Sequence, residues 1–169
     1  MSRGARVRVP LALNPLLRSS QNLHEKLDSL RALLTSLRRG SYSESVEAIS
    51  GVRAELRALE SEESGRFYRE EMKLCAALHA SNADFKNLME ELAEDREAVR
   101  QAFAECRRAL RAFNTHGDSG PLREAADHLV KTLSVRLDRQ AMELVPALER
   151  ELREHEKARR PDVRLADAS

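Results

Sequence analysis

Two residues in the stretch RLDRQAMELVP (136–146) place polar chemistry where a helix should be apolar. Arg136 is a fixed cation with donors and no acceptor, and Gln140 is an amide that both donates and accepts. They stand one helical turn apart, on the face that Leu133 and Leu144 mark as inward. The same break recurs elsewhere. Leu56 and Leu59 lead by threes and fours to Glu63 before Phe67, and Leu92 leads to Arg96 before Val99. His24 lies one turn before Leu27, on the margin of a further stripe. Guanidinium groups facing a carboxylate make charge-assisted hydrogen bonds. They cannot ligate a metal, because they offer no lone pair and keep their proton in proteins. A dry, unpaired arginine would cost several kcal/mol, so each buried charge needs an opposite partner. Glu63 is the expected counter-ion of Arg96 and Arg136, with Gln140 and His24 completing hydrogen bonds. Surplus positive charge would draw in Glu60, Glu62, water or an anion.

Helices must hold these residues at one place. Asn14-Pro15 is a good helix entry. Leu16, Leu23, Leu27, Leu30, Leu34 and Leu37 then recur at threes and fours until Gly40. Ser41 and Glu44 have capping-box spacing ahead of Val46, Ile49, Val52, Leu56, Leu59 and Phe67, with the segment ending near His79. SNAD (81–84) offers caps for a third segment, carrying Phe85, Leu88, Leu92, Val99, Phe103, Leu110 and Phe113. NTHGDSGP (114–121) reads as a loop, and a fourth helix from about Pro121 to Lys157 carries Leu122, Leu129, Leu133, Leu144 and Leu148. Four long helices joined by short turns predict an all-α, up-down-up-down antiparallel four-helix bundle over 14–157. Flexible segments are expected at 1–13 and 158–169. At 1.5 Å rise per residue, the polar positions agree in height to within about one or two helical turns. They form one layer near the middle of the bundle.

The chain of 169 residues has 34% charged and 41% hydrophobic residues, 4% aromatics and no tryptophan, which suits such a bundle. A net charge of +1 gives no global field for nucleic acid, although Arg3, Arg6 and Arg8 make a short basic tip. No apolar run approaches the roughly 20 residues of a membrane span, and VPLALNPLL lacks the marks of a signal peptide. A bacterial-type cytoplasm is the expected compartment. Cys75 and Cys106 would stand about 28 Å apart at helical rise, which excludes an intrachain disulfide. The charged runs EEMKLCAALH and ALERELREHEKARR read as solvated helix faces, the second also as a docking surface. No phosphate loop or nucleophile–base motif is present.

Around the polar layer, the chain resembles the hemerythrin-like (HHE cation-binding) family over roughly 14–150. That family has a histidine on the first helix, HxxxE on the second, a histidine on the third and HxxxE on the fourth. NLHEKLDSL keeps His24, and LRALESEESGRFY places Leu59 at the second-helix histidine with Glu63 at its carboxylate. LAEDREAVR puts Arg96 where the third-helix histidine is expected. RLDRQAMELVP keeps the fourth frame, including Leu137 and Pro146, with Arg136 for histidine and Gln140 for glutamate. The resemblance implies a di-iron bundle; the departures remove most of its ligands, since only His24 and Glu63 remain. The expectation is therefore a degenerate, metal-free member without cofactor. It would be non-enzymatic, and regulatory or protein-binding through a partner or self-association. Nucleic acid, membrane and small-molecule ligands are not expected. Two alternatives stand beside this reading: an oxygen- or nitric-oxide-responsive metalloprotein with unconventional ligands, and an anion sensor using Arg96 and Arg136.

Overall fold

Leucine at threes and fours is an instruction to bury one side of a helix, and the computed structural model follows it closely. It describes residues 11–39, 42–77 and 83–159, and among these only 117–119 lie outside helix. The first helical rod is α1 (Asn14–Arg39), entered through a 3-10 turn at Leu11–Leu13. The second joins α2 (Tyr42–Ser61) to α3 (Tyr68–Ala77), the third is α4 (Ala83–His116), and the fourth joins α5 (Gly120–Arg139) to α6 (Val145–Arg159). The expected flexible ends lie outside the described residues, except for 11–13 and 158–159, which are helical. So do Gly40, Ser41 and the first half of the expected SNAD turn, residues 81 and 82.

Each stripe enters one continuous core. Leu16, Leu23, Leu27, Leu30, Leu34 and Leu37 are buried on α1, and Ile49, Val52, Leu56 and Leu59 on α2. Phe85, Leu92, Val99 and Phe103 are buried on α4, and Leu122, Leu129, Leu133, Leu144 and Leu148 along the fourth rod. Val46 departs from its stripe and is exposed, because Ala48 and Ile49 take the inward positions of that turn. α1 packs broadly on α2 and also on α5, α4 packs broadly on α5, and α2 meets α4 along a narrower seam. Ala102, Ala109 and Ala126 are buried small residues that suit the close α4–α5 approach.

Two wide π turns set this fold apart from the uniform α-helices expected. They occupy Glu62–Phe67 and Gln140–Leu144. In the first, the Tyr68 N–H donates to the Glu63 carbonyl, five residues back; in the second, the Val145 N–H donates to that of Gln140. The residue spacing explains both. Leu59, Glu63, Phe67 and Glu71 follow one another by fours and all are buried, as are Arg136, Gln140, Leu144 and Leu148. Three steps of four in an α-helix would rotate the last residue about 120° away from the first. A π turn absorbs one extra residue, roughly 100°, and brings the run back to the core.

The α4–α5 loop is shorter than NTHGDSGP suggests, because α4 continues to His116. Gly117 ends it at φ +71°, where its N–H donates to the Phe113 carbonyl at 2.8 Å. Glycine tolerates that left-handed conformation without steric penalty. Asp118 then accepts from the Gly120 N–H at 2.9 Å, and Pro121 lies at the start of α5.

Candidate functional site

The two π turns bring Glu63 and Gln140 to the same core that holds Arg136, at the end of α5. Arg136 is completely buried. Its Nη2 donates to Glu71 Oε2 at 3.1 Å, and its Nε lies 3.3 Å from Glu63 Oε1. Its guanidinium carbon stands 4.7 Å from the centroid of the buried Phe67 ring, a cation–π contact. Arg96 approaches from α4, with Nε 3.7 Å from the same Glu71 Oε2 and its guanidinium 4.9 Å from the Tyr68 ring centroid. The order Glu63–Arg136–Glu71–Arg96 therefore alternates carboxyl with guanidinium. Arg139, just beyond, ties the fourth rod to α4 through Glu91 and Asp95, the latter at 2.9 Å.

Of the residues expected in the layer, Glu63, Arg96 and Arg136 come together there, joined through Glu71, and Gln140 is buried one turn beyond Arg136. Leu59 is buried one turn before Glu63 and contributes apolar packing. His24 is not part of it. Its ring is exposed, and Nδ1 lies 2.9 Å from the Ser20 carbonyl. The physical reason is angular, since His24 follows the buried Leu23 and is turned about 100° away from it. Ser19, four residues before Leu23, takes the inward place and donates to Glu62 at 2.5 Å.

Glu71 is the acid that the sequence reading missed. It belongs to the run EEMKLCAALH, expected to be a solvated face, yet Glu71 is fully buried. Glu60 and Glu62, the acids expected to absorb surplus positive charge, serve Arg107 and Ser19 instead. Continuing Leu59–Glu63–Phe67 by one more step of four was the available signal. ALERELREHEKARR divides: Ala147 and Leu148 are buried, and residues 153–158 are exposed.

Polar satisfaction in the layer is incomplete. Gln140 is 1% exposed, and neither of its amide atoms has a hydrogen-bond partner among the described residues. Arg136 Nη1 and Glu71 Oε1 share that condition. A depression of 370 Å³ lined by Ser64, Tyr68, Arg96, Glu97 and Arg100 reaches Glu63 from the surface. Burial pushes the Glu63 carboxyl above its ordinary 4.5, outweighing the pull of Arg136. The folded chain thus holds this proton more tightly than the unfolded chain does. Its contribution to stability is complete below pH 4.5 and is lost as pH rises through the raised folded value. Chemical denaturation at pH values rising from 4.5 should show stability falling as Glu63 loses its proton, and Glu63→Gln should flatten the profile. An identical profile in the variant would refute the assignment.

A di-iron centre of the kind the family resemblance implies does not fit these residues. Both carboxylates face guanidinium nitrogen, His24 is outside, and a buried arginine offers no lone pair. Among the described residues, no three His, Cys, Asp or Glu side chains gather at one point.

Cys75 and Cys106 are buried free thiols, each pushed up to about 12 first by burial and then by a nearby acid, Glu71 and Glu105 respectively. Thiolate is the reactive form. At pH 8 a disulfide reagent should modify neither in the native chain and both in denaturant; rapid native labelling would contradict this burial. His128 is exposed and lies 3.1 Å from Glu105. No protein-family model, no curated protein and no solved structure matches this chain.

Proposed function

We propose that the chain is a metal-free, degenerate hemerythrin-like bundle of up-down-up-down topology. It acts as a non-enzymatic regulatory or protein-interaction module in a bacterial-type cytoplasm. The observation that carries this reading is the Arg136 guanidinium, fully buried between Glu63 and Glu71 at the height of the polar layer. It supplies there the positive charge that metal ions supply in a di-iron bundle, and it does so without coordination chemistry. Both Arg96 and Arg136 already face Glu71, which favours a structural network over anion capture. The proposed topology draws support from the α2–α4 seam. Arg53 reaches Asn114 while Glu60 pairs with Arg107, so residue numbers rise on one helix as they fall on the other. Among the described residues no helix is long and apolar enough to cross a membrane. The two free thiols suit a reducing compartment.

Function of this kind belongs to a surface. A 670 Å³ groove between the start of α4 and the second π turn with α6 has Phe85, Leu88, Met142, Pro146 and Ala147 among its lining, rimmed by charged side chains that include Glu143, Arg150 and Glu154. Met142 is 77% exposed at its mouth, an apolar side chain available to a partner.

Anaerobic loading with ferrous iron, followed by air and desalting, tests the metal-free reading. The expected result is colourless protein without stoichiometric iron; retained iron with a ligand-to-metal absorption band would overturn it. Sedimentation equilibrium of the native chain and Met142→Glu addresses association. Mass growth with concentration that the variant lacks would mark the groove as a self-contact.

A further inference from the structure

The narrow seam between α2 and α4 opens into a cleft of 330 Å³, well away from the α4–α6 groove. Its floor is apolar, formed by Leu56, Phe103 and Leu110. Its rim carries two arginine pairs, each one helical turn apart: Arg53 with Arg57 on α2, and Arg107 with Arg111 on α4. Against these four cations the lining holds one acid, Glu60, which is engaged by Arg107. Arg53 donates to a neutral acceptor, Asn114 Oδ1, at 2.7 Å. Neither Arg57 nor Arg111 is paired with an acid among the described residues. In a chain whose net charge is only +1, this concentrates uncompensated positive charge over an apolar floor.

We propose that this cleft binds a small organic anion bearing an apolar group, with its carboxylate, sulfonate or phosphate between Arg57 and Arg111 and its apolar part over Leu56 and Leu110. The inference goes beyond the interaction reading and departs from the expectation that no small molecule binds. Charge alone would not suffice, because solvent screens exposed guanidinium groups and leaves each ion pair weak. Burial of apolar surface adds the remaining affinity, which selects an amphiphile over a bare inorganic ion. The volume sits at the small end of ligand pockets, so it suits a compact aromatic group or a single chain rather than a two-chain lipid. Planar guanidinium forks from both helices can grip the oxygens of one anionic group in pairs.

The probe is 1-anilinonaphthalene-8-sulfonate, whose fluorescence rises on leaving water. It should titrate to one site per folded chain, and excess dodecanoate should displace it while dodecanol does not. Arg57→Gln with Arg111→Gln should weaken binding about tenfold, with the thermal midpoint unchanged. The corresponding double lysine variant keeps the charge and should recover most of the affinity. The uncharged analogue N-phenyl-1-naphthylamine should bind at least about tenfold more weakly than the sulfonate. Because the dye also lights up loosened cores, near-UV circular dichroism must stay native throughout. Equal affinity in the glutamine variant, or equal binding of the neutral analogue, would overturn the proposal. Displacement of the dye by anionic phospholipid vesicles would overturn its soluble-ligand form; a dye that stays in place supports it.

Discussion

Replacing Arg136 with methionine should lower the unfolding free energy by about 3–5 kcal/mol, measured by urea denaturation at neutral pH. The side chain lost is fully buried and stands between two carboxylates, 3.1 Å from Glu71 and 3.3 Å from Glu63. Methionine fills much of the volume but leaves both acids without their central cation. Arg96 cannot replace it, since it reaches only Glu71, at 3.7 Å. The acids must then take up protons or draw in water. The variant should consequently lose stability with rising pH more steeply than the native chain. A companion variant separates charge from packing. Arg136→Met together with Glu63→Leu and Glu71→Met removes the whole set, and should regain most or all of the loss. Breaking a buried ion network is costly, whereas replacing it with apolar groups of similar volume is often neutral or favourable. If Arg136→Met melts like the native chain, the guanidinium is not in a dry layer and the account fails.

Gln140→Met should move stability the other way, upward by about 1–2 kcal/mol. The glutamine is 1% exposed, and both amide atoms lack partners among the described residues. A buried amide that has given up water without gaining a protein hydrogen bond destabilises the fold, and the unbranched methionine occupies similar space without that penalty. The effect should appear as a higher urea midpoint with unchanged slope. Destabilisation instead would show that the amide is bonded in the folded protein, making Gln140 a supporting member of the network. The two variants act on the same layer, and their effects should not simply add.

The legibility of this layer was uneven, for reasons that individual residues make plain. Arg96, Arg136, Gln140 and Glu63 were readable because each interrupts a leucine stripe at a core phase, and a helix has no cheap way to bury such a residue alone. His24 was misread because a margin position is decided by a rotation of one residue, and Leu23 holds the inward place. Glu71 was missed because it sits in a charged run whose average character is that of a solvated face, although its spacing from Phe67 places it inside. The π turns went unseen for a related reason. The run of fours was visible in both rods, but its significance depends on whether the last member is buried.

The one-dimensional pattern was enough to establish long amphipathic helices, the core leucines, a turn within 114–121 and a polar interruption in the second, third and fourth rods. Those features follow from interactions among residues a few positions apart, which periodicity and local backbone preference encode directly. Which acid faces which arginine was decided only when the rods packed. Arg136 and Glu71 are 65 positions apart, and their contact depends on the phase correction of two π turns and on the relative height of the helices. The arginine-rimmed cleft has the same origin, because its two rows lie on different rods and acquire a common purpose only where α2 and α4 meet.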